Sequence, residues 1–93
     1  MSRHEIVILD EDAERINECE ANLRVELTHM NIDAEVKGYS EFPFLTRCNV
    51  VGYTPSVQID GGKIWQHTIG KSITVQQFEG LFRRLRKLGE IDF

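Results

Sequence analysis

The chain has 93 residues, 41% of them hydrophobic, which suffices for one domain spanning 1–93 around a single modest core. Fifteen acidic against 11 basic side chains leave a net charge of −4, and a pI near 5.3 argues against nucleic-acid binding as the main task. No apolar run approaches membrane-spanning length and no apolar segment near residue 1 ends at a cleavage site, so a cytoplasmic protein with reduced thiols and no membrane partner is expected.

In chain order, Glu5-Ile-Val-Ile-Leu9 is a short β-branched run of buried-strand length, with a strand expected over 4–9. Asp10-Glu-Asp-Ala-Glu14 follows at once. Asp10 or Asp12 is suited to cap a helix, and the remaining carboxylates stand in a first turn where the helix dipole favours negative charge. Capping accounts for this cluster without a metal, because a hard-cation site needs several converging oxygens and no calcium-loop pattern is present. A helix over 12–30 then shows Ile16, Cys19, Leu23, Leu27 and Met30 as one apolar face.

Asn31 is expected to end that helix, and alternation from Ile32 to Val36 predicts a second strand over 32–38. Strand, helix and strand make a βαβ unit, hence a parallel pair. Ser40-Glu-Phe-Pro-Phe44 reads as a capped start with Pro in the first turn, predicting a short helix that carries Phe42, Leu45 and Cys48.

Two strand-like runs, 55–60 and 63–69, flank Asp60-Gly61-Gly62, whose residues tolerate positive φ where a hairpin reverses. Pro55 has no N–H for a ladder, so it belongs at the opening of its strand. Trp65 lies on the second run, and its pattern leaves open which face is buried. Thr74-Val-Gln-Gln77 has capping-box spacing, and Val75, Phe78, Leu81, Phe82, Leu85 and Leu88 give the apolar face of a helix over 74–88 that Gly89 stops. Only the two termini look loose.

Charge is uneven along the chain: −6 over residues 1–47 and +2 over 48–93, with Arg83, Arg84, Arg86 and Lys87 together on the last helix. Cations there complement the helix dipole, and Trp65 with Arg83 and Arg84 forms a candidate contact surface. His4, His29 and His67 have no metal-ligand spacing.

The order βαβ, short helix, hairpin opening at Thr54-Pro55 and terminal helix resembles the thioredoxin-like family, most closely its small glutaredoxin-sized members. The stretches NVVGYTPSVQIDGGK and IGKSITVQQFEGLF carry the likeness. It implies an α/β thioredoxin-like domain with a four-stranded mixed sheet and a cis peptide at Thr54-Pro55. The family's C-x-x-C falls on Ala13-Glu14-Arg15-Ile16, so both redox thiols are replaced, and thiol exchange needs thiolates.

Two function classes follow. The first is a redox-inactive module with a protein or peptide partner and no cofactor. In it Gly52, Tyr53, Thr54 and Pro55 present loop backbone to an extended segment and Asp12, Ala13 and Glu14 border the groove. The second is a divergent thiol-disulfide or glutathione-dependent oxidoreductase acting through Cys48, which Arg47 precedes. Cys19, between Glu18 and Glu20 on an apolar stripe, reads as core.

Overall fold

The computed structural model describes residues 4–89; the expectation of loose ends falls largely on residues 1–3 and 90–93, outside the described residues. The elements are β1 (His4–Leu9), α1 (Ala13–Met30), β2 (Ala34–Tyr39), α2 (Phe42–Arg47), β3 (Ser56–Ile59), β4 (Ile64–Gln66) and α3 (Val75–Leu88). They form a small α/β domain whose mixed sheet has the order β2-β1-β3-β4. β1 and β2 are parallel, with Ile6 opposite Val36. β3 runs antiparallel to both β1 and β4, with Val57 opposite Ile8 on one side and Trp65 on the other. Among the described residues no helix is long and apolar enough to cross a membrane.

Alternation along the strands divides the core in two. Ile6, Ile8, Val57 and Ile59 face α1 and α3, meeting Ile16, Cys19, Leu23 and Leu27 from the first and Phe78, Phe82 and Leu85 from the second. The opposite sheet face holds a smaller cluster, Leu9 with Leu45 and Val50, against which Val7, Tyr39, Cys48 and Ile64 pack. The pairing of Trp65 with Val57 puts the indole on the α1/α3 side, partly buried against the main core.

Local chemistry sets the boundaries. Asp12 caps α1, accepting from the N–H groups of Glu14 and Arg15 at 3.0 and 3.3 Å. At the other end Asn31 is left-handed (φ 56°) and the Ile32 N–H donates to the Leu27 carbonyl at 2.9 Å. This six-to-one closure uses residues 31–33 in the turn, so β2 starts at Ala34 and not at Ile32. β4 is also shorter than the expected 63–69. Its last partner is Ser56, beyond which Pro55 offers no N–H, and the chain turns back as the Gly70 N–H donates to the Thr54 carbonyl at 2.9 Å. In α3 the capping box of Thr74 and Gln77 is fully formed. The N-cap of α2 is Glu41, with no side-chain cap bond, and not Ser40.

Two side chains depart from their expected environments. Phe42, a large apolar side chain, is 64% exposed, because one and a half turns of helix bury little beyond Leu45. Glu26 is only 1% exposed; it stands three residues past Leu23 and seven past Cys19, on the same stripe as the core face of α1.

Candidate functional site

The candidate site lies where β1 ends, α1 begins and the 48–55 loop approaches β3. Asp10, the first residue after β1, is fully buried. Arg15, one turn into α1, reaches back with both Nε and Nη2, the latter donating to Oδ1 at 2.7 Å, in a bidentate pair. The Asp12 N–H adds a bond to the same carboxylate at 3.0 Å. Burial by itself would raise the Asp10 carboxyl. The hydrogen bonds from Arg15 and Asp12, the guanidinium charge and a bond with Thr54 outweigh it, and the group ends below its ordinary value. Arg15 is raised in turn, chiefly by its bond to Asp10. The Thr54 bond ties β1 to the loop from beneath.

A second tie closes the surface. The Gly52 N–H, in a backbone with φ 82°, donates to Glu11 Oε1 at 3.1 Å, so the α1 approach and the loop touch across 41 positions of sequence. The rest of the loop backbone is also engaged. The Tyr53 N–H donates to the Val50 carbonyl at 2.8 Å, the Tyr53 carbonyl accepts from Ser56 Oγ at 2.7 Å, and the Thr54 carbonyl accepts from Gly70. The expectation that Gly52, Tyr53 and Thr54 offer free backbone to an added strand is therefore corrected: internal partners hold most of these groups. The Thr54–Pro55 peptide is cis, and both residues are buried.

Asp12, Ala13, Glu14, Gly52 and Tyr53 remain at the surface. Val51 and Tyr53, on either side of Gly52, are exposed apolar side chains of this loop, with Tyr53 54% exposed, and Phe42 and Phe44 are exposed on α2. Phe44 stacks on Tyr39 with ring centroids 4.7 Å apart, and the Arg47 guanidinium lies 5.4 Å from its ring centroid. Exposed Glu11, Asp12 and Glu14 make the rim on the α1 side acidic.

The two cysteines stand in different environments. Cys19 is buried; its Sγ accepts from the Ile73 N–H at 3.3 Å, and burial pushes its thiol up. Cys48 is the C-cap of α2, partly buried against the Leu9 cluster. At the two positions where the resemblance places thiols are an exposed Ala13 and the core residue Ile16.

Trp65, Arg83 and Arg84 are not brought together as one surface. Trp65 and Arg84 line a groove of about 310 Å³ with Ile73, Gln77 and Leu81, whereas Arg83 faces a separate cavity and pairs with Glu79 at 3.3 Å. His4 is tied to Asp60 at 2.7 Å and His67 to Thr68 at 2.9 Å. No group of three or more His, Cys, Asp or Glu side chains suited to a metal ion occurs among the described residues.

The buried Asp10–Arg15 pair, the exposed aromatics of α2 and the buried Glu26 were missed by sequence reasoning. Only Glu26 had a signal, its place on the α1 stripe. Comparison of the chain with known protein families, with curated proteins and with solved structures finds no match.

Proposed function

We propose that the chain is a thioredoxin-like domain without a redox centre that binds a partner protein through the surface joining the start of α1 to the 49–53 loop. The sheet order β2-β1-β3-β4, with a βαβ half followed by a ββα half, supports the fold reading. The observation that carries the functional reading is the exposed Val51 and Tyr53 on either side of Gly52, whose N–H is tied to Glu11 next to the exposed Asp12. Aromatic anchors on a rigid support are what hot spots require, since little side-chain entropy is left to lose on binding.

Because internal partners hold most of the loop backbone groups, recognition runs through side chains and not through an added strand. The acidic rim selects a partner segment with an apolar or aromatic anchor flanked by Lys or Arg.

Selection of a random peptide library on the purified protein tests this, with Tyr53→Ser and Val51→Ser as parallel baits. Enrichment of basic, aromatic-containing sequences that both variants lose supports the proposal. Equal retention by the variants overturns it, as does disulfide reductase activity that Cys48→Ser abolishes.

A further inference from the structure

β2 is an edge strand: the order β2-β1-β3-β4 pairs it with β1 on one side and with no described strand on the other. The carbonyls of Asp33 and Tyr39 accept from the N–H groups of His4 and Asp10, so residues 33, 35, 37 and 39 turn their backbone groups toward β1. Val36 and Gly38 therefore aim theirs outward. An open edge invites pairing, and proteins usually blunt it with Pro, a bulge, extreme shortness or charge. β2 has six residues, carries no Pro, and matches β1 one to one from Ala34 to Tyr39. Charge is its one protection, and that charge is of both signs.

Space is available beside it. Arg24, Leu27 and Thr28 of α1 line an open hollow of about 700 Å³ along this edge with Ala34, Glu35 and Val36. The hollow shares no residue with the surface at the start of α1 and the 49–53 loop.

Val36 packs against the main core, so its neighbours Glu35 and Lys37 project from the other sheet face, 52% and 38% exposed. Two antiparallel copies centred on Val36 put Glu35 of each opposite Lys37 of the other. Centring on Lys37 or on Glu35 would instead set like charges directly opposite, which is destabilising. The match repeats above the strands. Glu20 Oε1 stands 2.5 Å from where a Cβ on Gly38 would lie, while Arg24 lines the hollow beside Ala34. Reversal about Val36 brings the Gly38 end of one copy to the Ala34 end of the other, so Glu20 of each comes alongside Arg24 of its mate. Within one chain Lys37 meets Glu5 at 3.1 Å and Arg24 meets Glu20 at 3.5 Å, but ammonium and guanidinium each keep further N–H donors.

We propose that the edge of β2 is a self-association surface, occupied by β2 of a second copy running antiparallel and centred on Val36. The two Val36 residues exchange backbone hydrogen bonds, and the sheet continues across a two-fold axis. Strands of six residues make a small contact, so the dimer is weak and concentration-dependent.

Sedimentation velocity of the full chain from about 10 µM to about 1 mM tests this, with a rise from monomer toward dimer expected. Val36→Pro removes the central outward N–H without touching the bonds to β1, and should leave a monomer. Lys37→Glu and Glu35→Lys should each weaken dimerisation about tenfold or more, because both opposed pairs turn repulsive, and an equimolar mixture of the two variants should associate again. If Val36→Pro does not fold, the charge variants decide the matter. In mixed labelled and unlabelled wild type, isotope-filtered NOEs should join Ala34 to Gly38 across copies. The proposal is overturned by a monomer at every concentration, by a dimer that the variants retain, by a mixture of the charge variants that stays monomeric, or by cross-copy NOEs confined to other residues.

Discussion

Arg15→Met removes the guanidinium from the fully buried Asp10 while keeping a side chain of similar length. Loss of one partner from a buried ion pair typically costs 3–5 kcal/mol, because a charge is left desolvated without compensation. Asp10 keeps its bonds from the Asp12 N–H and Thr54, so the low end applies, about 3 kcal/mol. For a domain of this size that is a drop of about 12 °C or more in Tm. Urea denaturation at pH 7 should show the midpoint falling with the slope unchanged. The pH dependence gives a sharper check. In the wild type the Asp10 carboxyl is lowered on folding, so its contribution is present above the ordinary value of 3.8 and is lost as pH falls through the folded value. In Arg15→Met burial dominates and raises the same group, so the variant regains stability as acid neutralises it and the gap to wild type narrows from pH 7 to pH 4. A loss below about 1 kcal/mol, or one that does not change with pH, refutes the reasoning.

Gly38 in β2 has no room for a side chain, since a Cβ there would overlap Ile16 Cγ2 and lie 2.5 Å from Glu20 Oε1; Gly38→Ala should cost about 1–3 kcal/mol by denaturation. Gly80, inside α3, has open space where a Cβ would stand, so Gly80→Ala should stabilise by about 0.5–1 kcal/mol in the same assay. Replacing Cys19 and Cys48 together by Ala should leave the circular dichroism spectrum intact at a cost of about 1–2 kcal/mol. The wild type in reductant should have the mass of two free thiols, consistent with the two free cysteines of the structure. Tyr53→Ser, on an exposed side chain, should shift stability by less than about 0.5 kcal/mol while abolishing selection of basic aromatic peptides.

Local signals carried most of the architecture. The stripe Ile16, Cys19, Leu23 and Leu27 is buried as its spacing requires, and Thr74 and Gln77 form the capping box their separation suggests. Asp60 and Gly61 take the positive φ values, 53° and 70°, that a tight reversal needs. What local signals left open or misjudged was decided by partners elsewhere in the fold. Asp10 and Asp12 are equivalent as caps on local grounds, and only the return of Arg15 sends one into the core and leaves the other on the helix end. The backbone of the 52–54 segment looked free because its partners, Glu11 and Gly70, lie 41 positions before and 16 after the residues they bind. The exposure of Phe42 had no signal in the sequence, because a six-residue helix is too short for periodicity to define an inner face.

The same two aspartates bear on what chemistry the start of α1 supports. A helix N-terminus lowers a thiol pKa by offering unsatisfied N–H groups and the positive end of the dipole to the thiolate. Here the Asp12 carboxylate already takes the N–H groups of Glu14 and Arg15, and the cation nearby, Arg15, is spent on Asp10. A thiolate at residue 13 would have to displace one carboxylate from those donors and stand against the charges of Glu11 and Glu14 as well. At Ala13 and Ile16, the positions where the resemblance places thiols, the donors that would stabilise a thiolate instead tie the end of β1, the start of α1 and Thr54 together.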